Sequence, residues 1–162
     1  MPQSDFVATL RALANANVDF IVVGGLAAVF NGAPVNTFDL DIVHACNREN
    51  VDKLITVLQS INAIYRIQPS RRLQPTPDHL TTAGHHNLLT ANGPLDVLGT
   101  IVGDLTYEQL LPDTTAMEIG GTLKVQVLNL KKIIALKTEL AGEKDLAVLP
   151  ILKQALREQS PE

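Results

Sequence analysis

Val23-Gly24-Gly25-Leu26-Ala27-Ala28-Val29-Phe30-Asn31-Gly32, followed by Phe38-Asp39-Leu40-Asp41-Ile42-Val43, is the stretch from which a fold can be read. Val18 to Val23 is a short apolar, β-branched run, the pattern of a buried strand. Gly24-Gly25 ends it, Leu26 to Phe30 predicts a short helix, and Asn31-Gly32 closes that helix. Phe38 to Val43 alternates and predicts a second strand. On a strand, side chains two apart share a face, so Asp39 and Asp41 project together while Leu40 and Ile42 turn to the core. Two carboxylates side by side repel, and burying them unpaired is costly. Hard oxygen ligands in that arrangement call for Mg²⁺ between them; taken alone, the pair also suits the solvated face of an edge strand. A strand, a double-glycine turn and a helix start form a phosphate cradle, because glycine admits a close ligand and the helix start offers free N–H groups. A tight turn without a ligand has the same pattern. No Gly-Lys-Ser/Thr follows, so this is not a Walker loop, and Gly-x-Gly-x-x-Gly is absent too.

Working outward, Ser4 is placed to cap a first helix carrying Phe6, Leu10, Leu13 and Ala14. Asn47 caps a helix striped by Val51, Leu54, Ile55 and Leu58. Periodicity vanishes from Arg66 to His86, a Pro-rich stretch with Arg66, Arg71 and Arg72, which reads as a long irregular loop. Asn87 to Thr90 and Leu95 to Ile101 predict a hairpin. Thr106 to Leu111 predicts a short helix, and Met117 to Ile119 with Thr122 to Val127 flank Gly120-Gly121 as a second hairpin. Leu130, Ile133, Ile134 and Leu140 stripe a helix capped by Asn129, and a last helix runs from about 143 to 158, with Pro150 as an interruption. The order predicts an α/β (α+β) fold with a mixed sheet and C-terminal helices. With 162 residues the expectation is one domain over 1–162, its core at about 18–128 and its C-terminal helices at about 129–158.

A net charge of −4 argues against a general phosphate-backbone binder. One cysteine, Cys46, excludes an intrachain disulfide framework and a cysteine zinc cluster. The N-terminus lacks a basic region followed by an apolar run, and no apolar run reaches the roughly 20 residues a bilayer needs. The expectation is a cytoplasmic protein without a membrane segment. A third acid, Asp96, lies between Leu95 and Val97-Leu98, an anomaly in an apolar strand unless it has a partner. Three such acids with a phosphate turn suit a two-metal phosphoryl-transfer site. A phosphate-binding domain with hydrolase chemistry would use the same acids.

Val23-Gly24-Gly25, thirteen intervening residues, Asp39-Leu40-Asp41-Ile42 and the later Asp96 resemble the signature of the nucleotidyltransferase superfamily, of the DNA polymerase β-like fold. Gly24 through Gly32, Gly93-Pro94-Leu95-Asp96, Val127 through Lys137 and Lys144-Asp145-Leu146 resemble one branch, the small nucleotidyltransferases related to abortive-infection toxins (AbiEii-like). The resemblance covers about residues 18 to 150. It implies Mg²⁺-dependent transfer of a nucleoside monophosphate from an NTP to a hydroxyl acceptor, with two metal ions and Mn²⁺ as a substitute. It implies Asp39, Asp41 and Asp96 as catalytic residues and metal ligands. Gly24, Gly25, Thr37 and Lys137 would bind nucleotide. The acceptor would be RNA, protein or a small molecule; the small size of the domain, which leaves little room for an acceptor-binding module, adds the expectation of a homodimer or a toxin–antitoxin partner. A non-catalytic nucleotide- or partner-binding regulator or antitoxin of the same fold is the alternative; Val35-Asn36-Thr37-Phe38, uncharged where relatives often carry Arg or Lys, favours it.

Lys137 falls inside an apolar stripe, where a lysine either snorkels outward or meets an anion. Lys144 and Asp145 read as an ion pair or cap. His79, His85 and His86 read as loop histidines rather than zinc ligands, Arg71-Arg72 as solvated or steering charges, and Cys46 as a small packed residue.

Overall fold

In the computed structural model, which describes residues 4–159, an Asp5 carboxylate opens the first helix by accepting from the Ala8 N–H at 3.0 Å. The cap is thus Asp5 rather than Ser4, because the helix starts one residue later. The elements are α1 (Phe6–Asn15), β1 (Phe20–Val23), α2 (Gly24–Phe30), β2 (Leu40–His44), α3 (Arg48–Ser60), β3 (Ile64–Tyr65), α4 (Pro77–Leu80), β4 (His85–Thr90) and β5 (Gly93–Leu98). Then come β6 (Thr100–Ile101), β7 (Leu105–Thr106), α5 (Tyr107–Leu110), β8 (Thr114–Ile119), β9 (Leu123–Leu128), α6 (Leu130–Leu140) and α7 (Glu143–Gln159).

Seven strands form one sheet in the order β3-β4-β5-β2-β1-β9-β8. The pairs β2–β5 and β1–β9 are parallel and the others antiparallel, so the sheet is mixed, as the order of elements predicted. Leu40, Ile42, Leu88, Leu95, Val97 and Val127 are buried in one apolar cluster with Leu10, Leu13, Leu54 and Leu58 from α1 and α3. The C-terminal helices bury Ile133, Leu136 and Leu152 in the same cluster. Among the described residues no helix is long and apolar enough to cross a membrane.

Three local expectations are corrected. Gly24 and Gly25 form the first turn of α2 rather than a turn ahead of it. The strand expected over 95–101 breaks at Gly99, where any Cβ would run into the Thr82 carbonyl oxygen; Thr100–Ile101 instead pairs with β7 in a separate ribbon. The stretch 66–86 is not one irregular loop. It holds a 3-10 turn (Pro69–Arg71), α4 capped by Thr76, and the start of β4 at His85. Pro69 and Pro77 occupy the first turns of these short helices, where no N–H is needed, and Pro75 lies in the connection between them. Pro150 lies within α7, and buried Leu149, Leu152 and Ala155 hold that helix together around it.

Candidate active site

The register of three central strands assembles the acids. β2 pairs in parallel with β5 so that Asp41 lies directly beside Asp96, and β1 pairs antiparallel with β2 so that Val23 lies beside Asp41. Gly24 therefore leaves the sheet at the position of Asp41. Asp39 stands one residue ahead of β2, on the same side as Asp41. Each of the three carboxylates offers an oxygen within 4.8 Å of the others.

This proximity has an electrostatic consequence. Burial pushes the Asp41 carboxyl up to about 8, helped by a hydrogen bond and repulsion from Asp96 and by repulsion from Asp39; Arg66 opposes the shift. Asp39 is raised by burial first and by Asp96 second, again against Arg66. One oxygen of Asp41, Oδ1, is buried with no hydrogen-bond partner among the described residues. A buried carboxylate oxygen without a partner is costly.

The cation among these acids is Arg66, which the sequence left in a loop. Its backbone N–H donates to the Asn87 carbonyl at 2.9 Å, continuing the β3–β4 edge and carrying the side chain toward β5. Nη2 donates to Asp96 Oδ1 at 2.8 Å and to the Leu88 carbonyl at 3.0 Å, and Nη1 lies 3.7 Å from Asp39 Oδ2. Asn87 sits in register with Asp96 on the neighbouring strand, a second polar residue the sequence did not single out. Neither had a local signal. Arg66 lies thirty residues from its carboxylate partner, and only strand pairing brings them together.

Gly24 has a φ of +68°, and a Cβ there would fall on Asp41 Oδ2. This position requires glycine on two counts, backbone conformation and space. A Cβ on Gly25 would come within 3.0 Å of Thr37 Cβ and Oγ1. The Thr37 hydroxyl donates to the Asp39 carbonyl at 2.9 Å, pinning the segment that enters β2. Lys137, on α6, reaches Asp145 Oδ1 at 3.1 Å and borders two clefts that meet at Gly24. One, of about 150 Å³, is lined by Val23, Gly24, Asp41, Leu98, Ile133 and Lys137. The other, of about 180 Å³, takes in Gly24, Gly25, Asn36, Lys137 and Lys144. The structure thus brings together Gly24, Gly25, Asp39, Asp41, Asp96 and Lys137, with Thr37 one layer behind. Lys144 faces a cleft, and its neighbour Asp145 takes the ion pair with Lys137.

The other expected residues lie elsewhere. His85 and His86 are strand residues of β4, not loop residues. His86 is in register with Val97, so it faces away from Asp96, and its Nδ1 is 3.0 Å from the Tyr65 hydroxyl, which also approaches His79 Nδ1 at 3.4 Å. Arg71 and Arg72 are exposed at the end of the 3-10 turn. Burial, then Glu108, pushes the Cys46 thiol up, so nothing activates it as a nucleophile.

No family model matches the chain, and no curated protein matches it. Solved structures do. A Thermotoga maritima structure described as a putative nucleotidyltransferase superposes with a TM-score of 0.56 at 16% identity, covering 94% of this chain and 91% of that one. The lincosamide antibiotic adenylyltransferase LnuA, in its lincomycin-bound structure, superposes with a TM-score of 0.62 at 13% identity, covering 95% of this chain and 99% of that one. At these identities the likeness is one of fold: the chain has the nucleotidyltransferase fold.

Proposed function

We propose that this chain is a Mg²⁺-dependent nucleotidyltransferase, of the branch related to abortive-infection toxins, that moves a nucleoside monophosphate from an NTP to a hydroxyl acceptor. The observation that carries the reading is the meeting of three carboxylates within 4.8 Å of one another beside the Gly24 backbone. The donor set fits a hard divalent cation: all ligands are carboxylate oxygens, and one of them, the buried Oδ1 of half-buried Asp41, has no other partner among the described residues. Bound there, Mg²⁺, or Mn²⁺ in its place, supplies charge neutralisation and Lewis acidity toward a phosphoryl group.

Asp39 and Asp41 hold the cations. Asp96, tethered through its Oδ1 to Arg66, orients the acceptor hydroxyl and takes its proton as the acceptor oxygen bonds to the α-phosphorus. The bond from that phosphorus to the bridging oxygen breaks, and pyrophosphate leaves. Gly24 and Gly25 leave room for the triphosphate to approach backbone N–H groups. Lys137 turns its ammonium from Asp145 to the triphosphate, and Thr37 keeps Asp39 in place. The acceptor belongs to RNA, a protein or a small molecule; the lincomycin-bound neighbour supports the last of these. We place the protein in the cytoplasm, where NTPs are available, with a second copy or an antitoxin-like partner closing the pocket.

The second reading is a non-catalytic regulator that binds nucleotide or partner. It draws on the uncharged stretch Val35-Asn36-Thr37-Phe38, whose Asn36 borders the cleft beside Gly25. One assay separates the two. The protein is incubated with Mg²⁺ or Mn²⁺ and each α-labelled NTP, with RNA, protein and small-molecule fractions as acceptors and Asp39→Ala/Asp41→Ala as control. Label transferred by the unaltered chain alone supports the enzyme. Metal-dependent NTP binding without transfer supports the regulator, and neither binding nor transfer overturns both.

A further inference from the structure

Arg66 holds an unusual position for a cation. Its guanidinium lies against two of the three carboxylates that would receive a dication, at 2.8 Å from Asp96 and 3.7 Å from Asp39. It is also anchored from behind, since Nη2 donates to the Leu88 carbonyl and the backbone N–H to the Asn87 carbonyl. Its Nε is buried with no partner among the described residues. The two contacts differ in kind: that to Asp96 is a charge-assisted hydrogen bond, while that to Asp39 is at ion-pair distance only.

We propose that Arg66 is a built-in competitor of the divalent cation, which takes the acid cluster only as the guanidinium yields Asp39. The inference rests on the metal reading above and deepens it. Three carboxylates carry three negative charges at most. The guanidinium offsets one of them, and a dication placed among the same oxygens would stand a few ångströms from a fixed positive charge. The repulsion between them falls on the weaker contact. Asp39 transfers to the metal, while Arg66 keeps Asp96 and the Leu88 carbonyl. Arg66 in this way restricts the site to conditions in which a dication is abundant, and it keeps Asp96 oriented once the cation is bound. It is a positioning residue in this scheme; it does not touch the reacting atoms.

The sign of one measurement tests this. Mn²⁺ alone is titrated into the full chain and into Arg66→Gln, and affinity is read by calorimetry. Removing a competing charge strengthens binding by about tenfold, the effect of one unit charge a few ångströms away at partial exposure. Loss of a merely structural arginine would weaken binding or leave it unchanged, and either result overturns the proposal while leaving the metal site standing. Binding by neither protein overturns the metal site and this inference together. If Arg66→Gln does not fold, the unaltered chain carries the test through nitrogen-15 resonances of its arginine side chains. Saturating Mg²⁺ shifts the Arg66 resonance and speeds its side-chain motion; an Arg66 signal unmoved by Mg²⁺ overturns the proposal.

Discussion

Two polar clusters occupy opposite faces of the same half of the sheet, and burial drives Asp39 and Asp41 on one, and His44 and His86 on the other, toward the uncharged state. On one face Asp39, Asp41 and Asp96 meet, with the Arg66 guanidinium against Asp39 and Asp96. On the other Tyr65 stands between His79 and His86, whose rings stack at 6.5 Å, while His44 donates from Nε2 to the Leu80 carbonyl at 2.7 Å. Both leave atoms without partners among the described residues: Asp41 Oδ1 and Arg66 Nε on the first, His44 Nδ1 and His86 Nε2 on the second. The difference lies in the chemistry of neutrality. An imidazole reaches it at neutral pH by shedding a proton, so the histidine face is at rest without a ligand. Asp39 and Asp41 reach it at neutral pH only by keeping protons against their ordinary values, or by binding cations. The acid face is therefore the one that the proposed cation would bring to rest.

Exchanging one acid for its neutral isostere gives the largest expected effect. Asp41→Asn removes the most perturbed carboxylate, so transfer falls on the order of 10³-fold. The same change raises the melting temperature at neutral pH by about 2–4 °C, because folding then no longer requires Asp41 to keep a proton that the unfolded chain releases. Thermal unfolding and the labelled transfer assay read the two effects on one preparation. A destabilised Asp41→Asn would break the comparison, since Asp41 would then be a structural acid. Gly24→Ala comes next. A φ of +68° and a Cβ falling on the Asp41 carboxylate together cost about 2–4 kcal/mol, measurable by denaturant unfolding, and abolish Mn²⁺ binding.

How much of this contrast could be read from the sequence depended on distance along the chain. Gly24, Asp39 and Asp41 were legible because a local rule, two-residue alternation on a strand, puts two acids on one face next to a glycine turn. Asp96 was legible as an acid among apolar neighbours. Arg66 and Asn87 were not, because their meaning comes from the pairing of β3, β4 and β5, which no local pattern encodes. His86 was misplaced for a related reason: Pro69 and Pro77 mark helix starts and Pro75 the connection between them, and together they masked the β-strand beginning at His85. The sheet order likewise depends on the parallel β2–β5 and β1–β9 pairs, whose partners are separated by long connections.

The two faces also differ in the sign of their pH response. In the folded chain Asp41 keeps a proton up to about pH 8 that the unfolded chain releases near 3.8, so its contribution is full at low pH and is lost as pH rises through that window. His44 and His86 are lowered, by burial first, from 6.5, so their contribution is present above 6.5 and is lost as pH falls through their folded values. Among the described residues, the acid face sets the slope between about pH 6.5 and 8, and stability declines as pH rises. Asp41→Asn flattens that decline. Saturating Mg²⁺ offsets it, because the cation binds the ionised carboxylates and binds them better as pH rises. Unfolding curves at half-unit pH intervals, with and without Mg²⁺, check each statement, and a decline that Asp41→Asn leaves intact would assign the slope to other groups.

The smallest effect sharpens the comparison from the histidine side. Tyr65→Phe keeps the ring and deletes the hydroxyl that lies 3.0 Å from His86 Nδ1 and 3.4 Å from His79 Nδ1. The cost is about 1 kcal/mol for a partly buried hydrogen bond, or about 2–4 °C in melting temperature. Because the chain passes from Tyr65 to Arg66 in one residue, the substitution also tests whether the faces are independent. Alternation sends the two side chains to opposite sides, and Arg66 is held by its own bonds to Leu88, Asp96 and the Asn87 carbonyl, none of which involves the Tyr65 hydroxyl. Mn²⁺ affinity in Tyr65→Phe is therefore unchanged while stability falls. A shifted affinity would mean that the hydroxyl network sets the pose of Arg66 through β3, and the histidine face would then be part of the site rather than its backing.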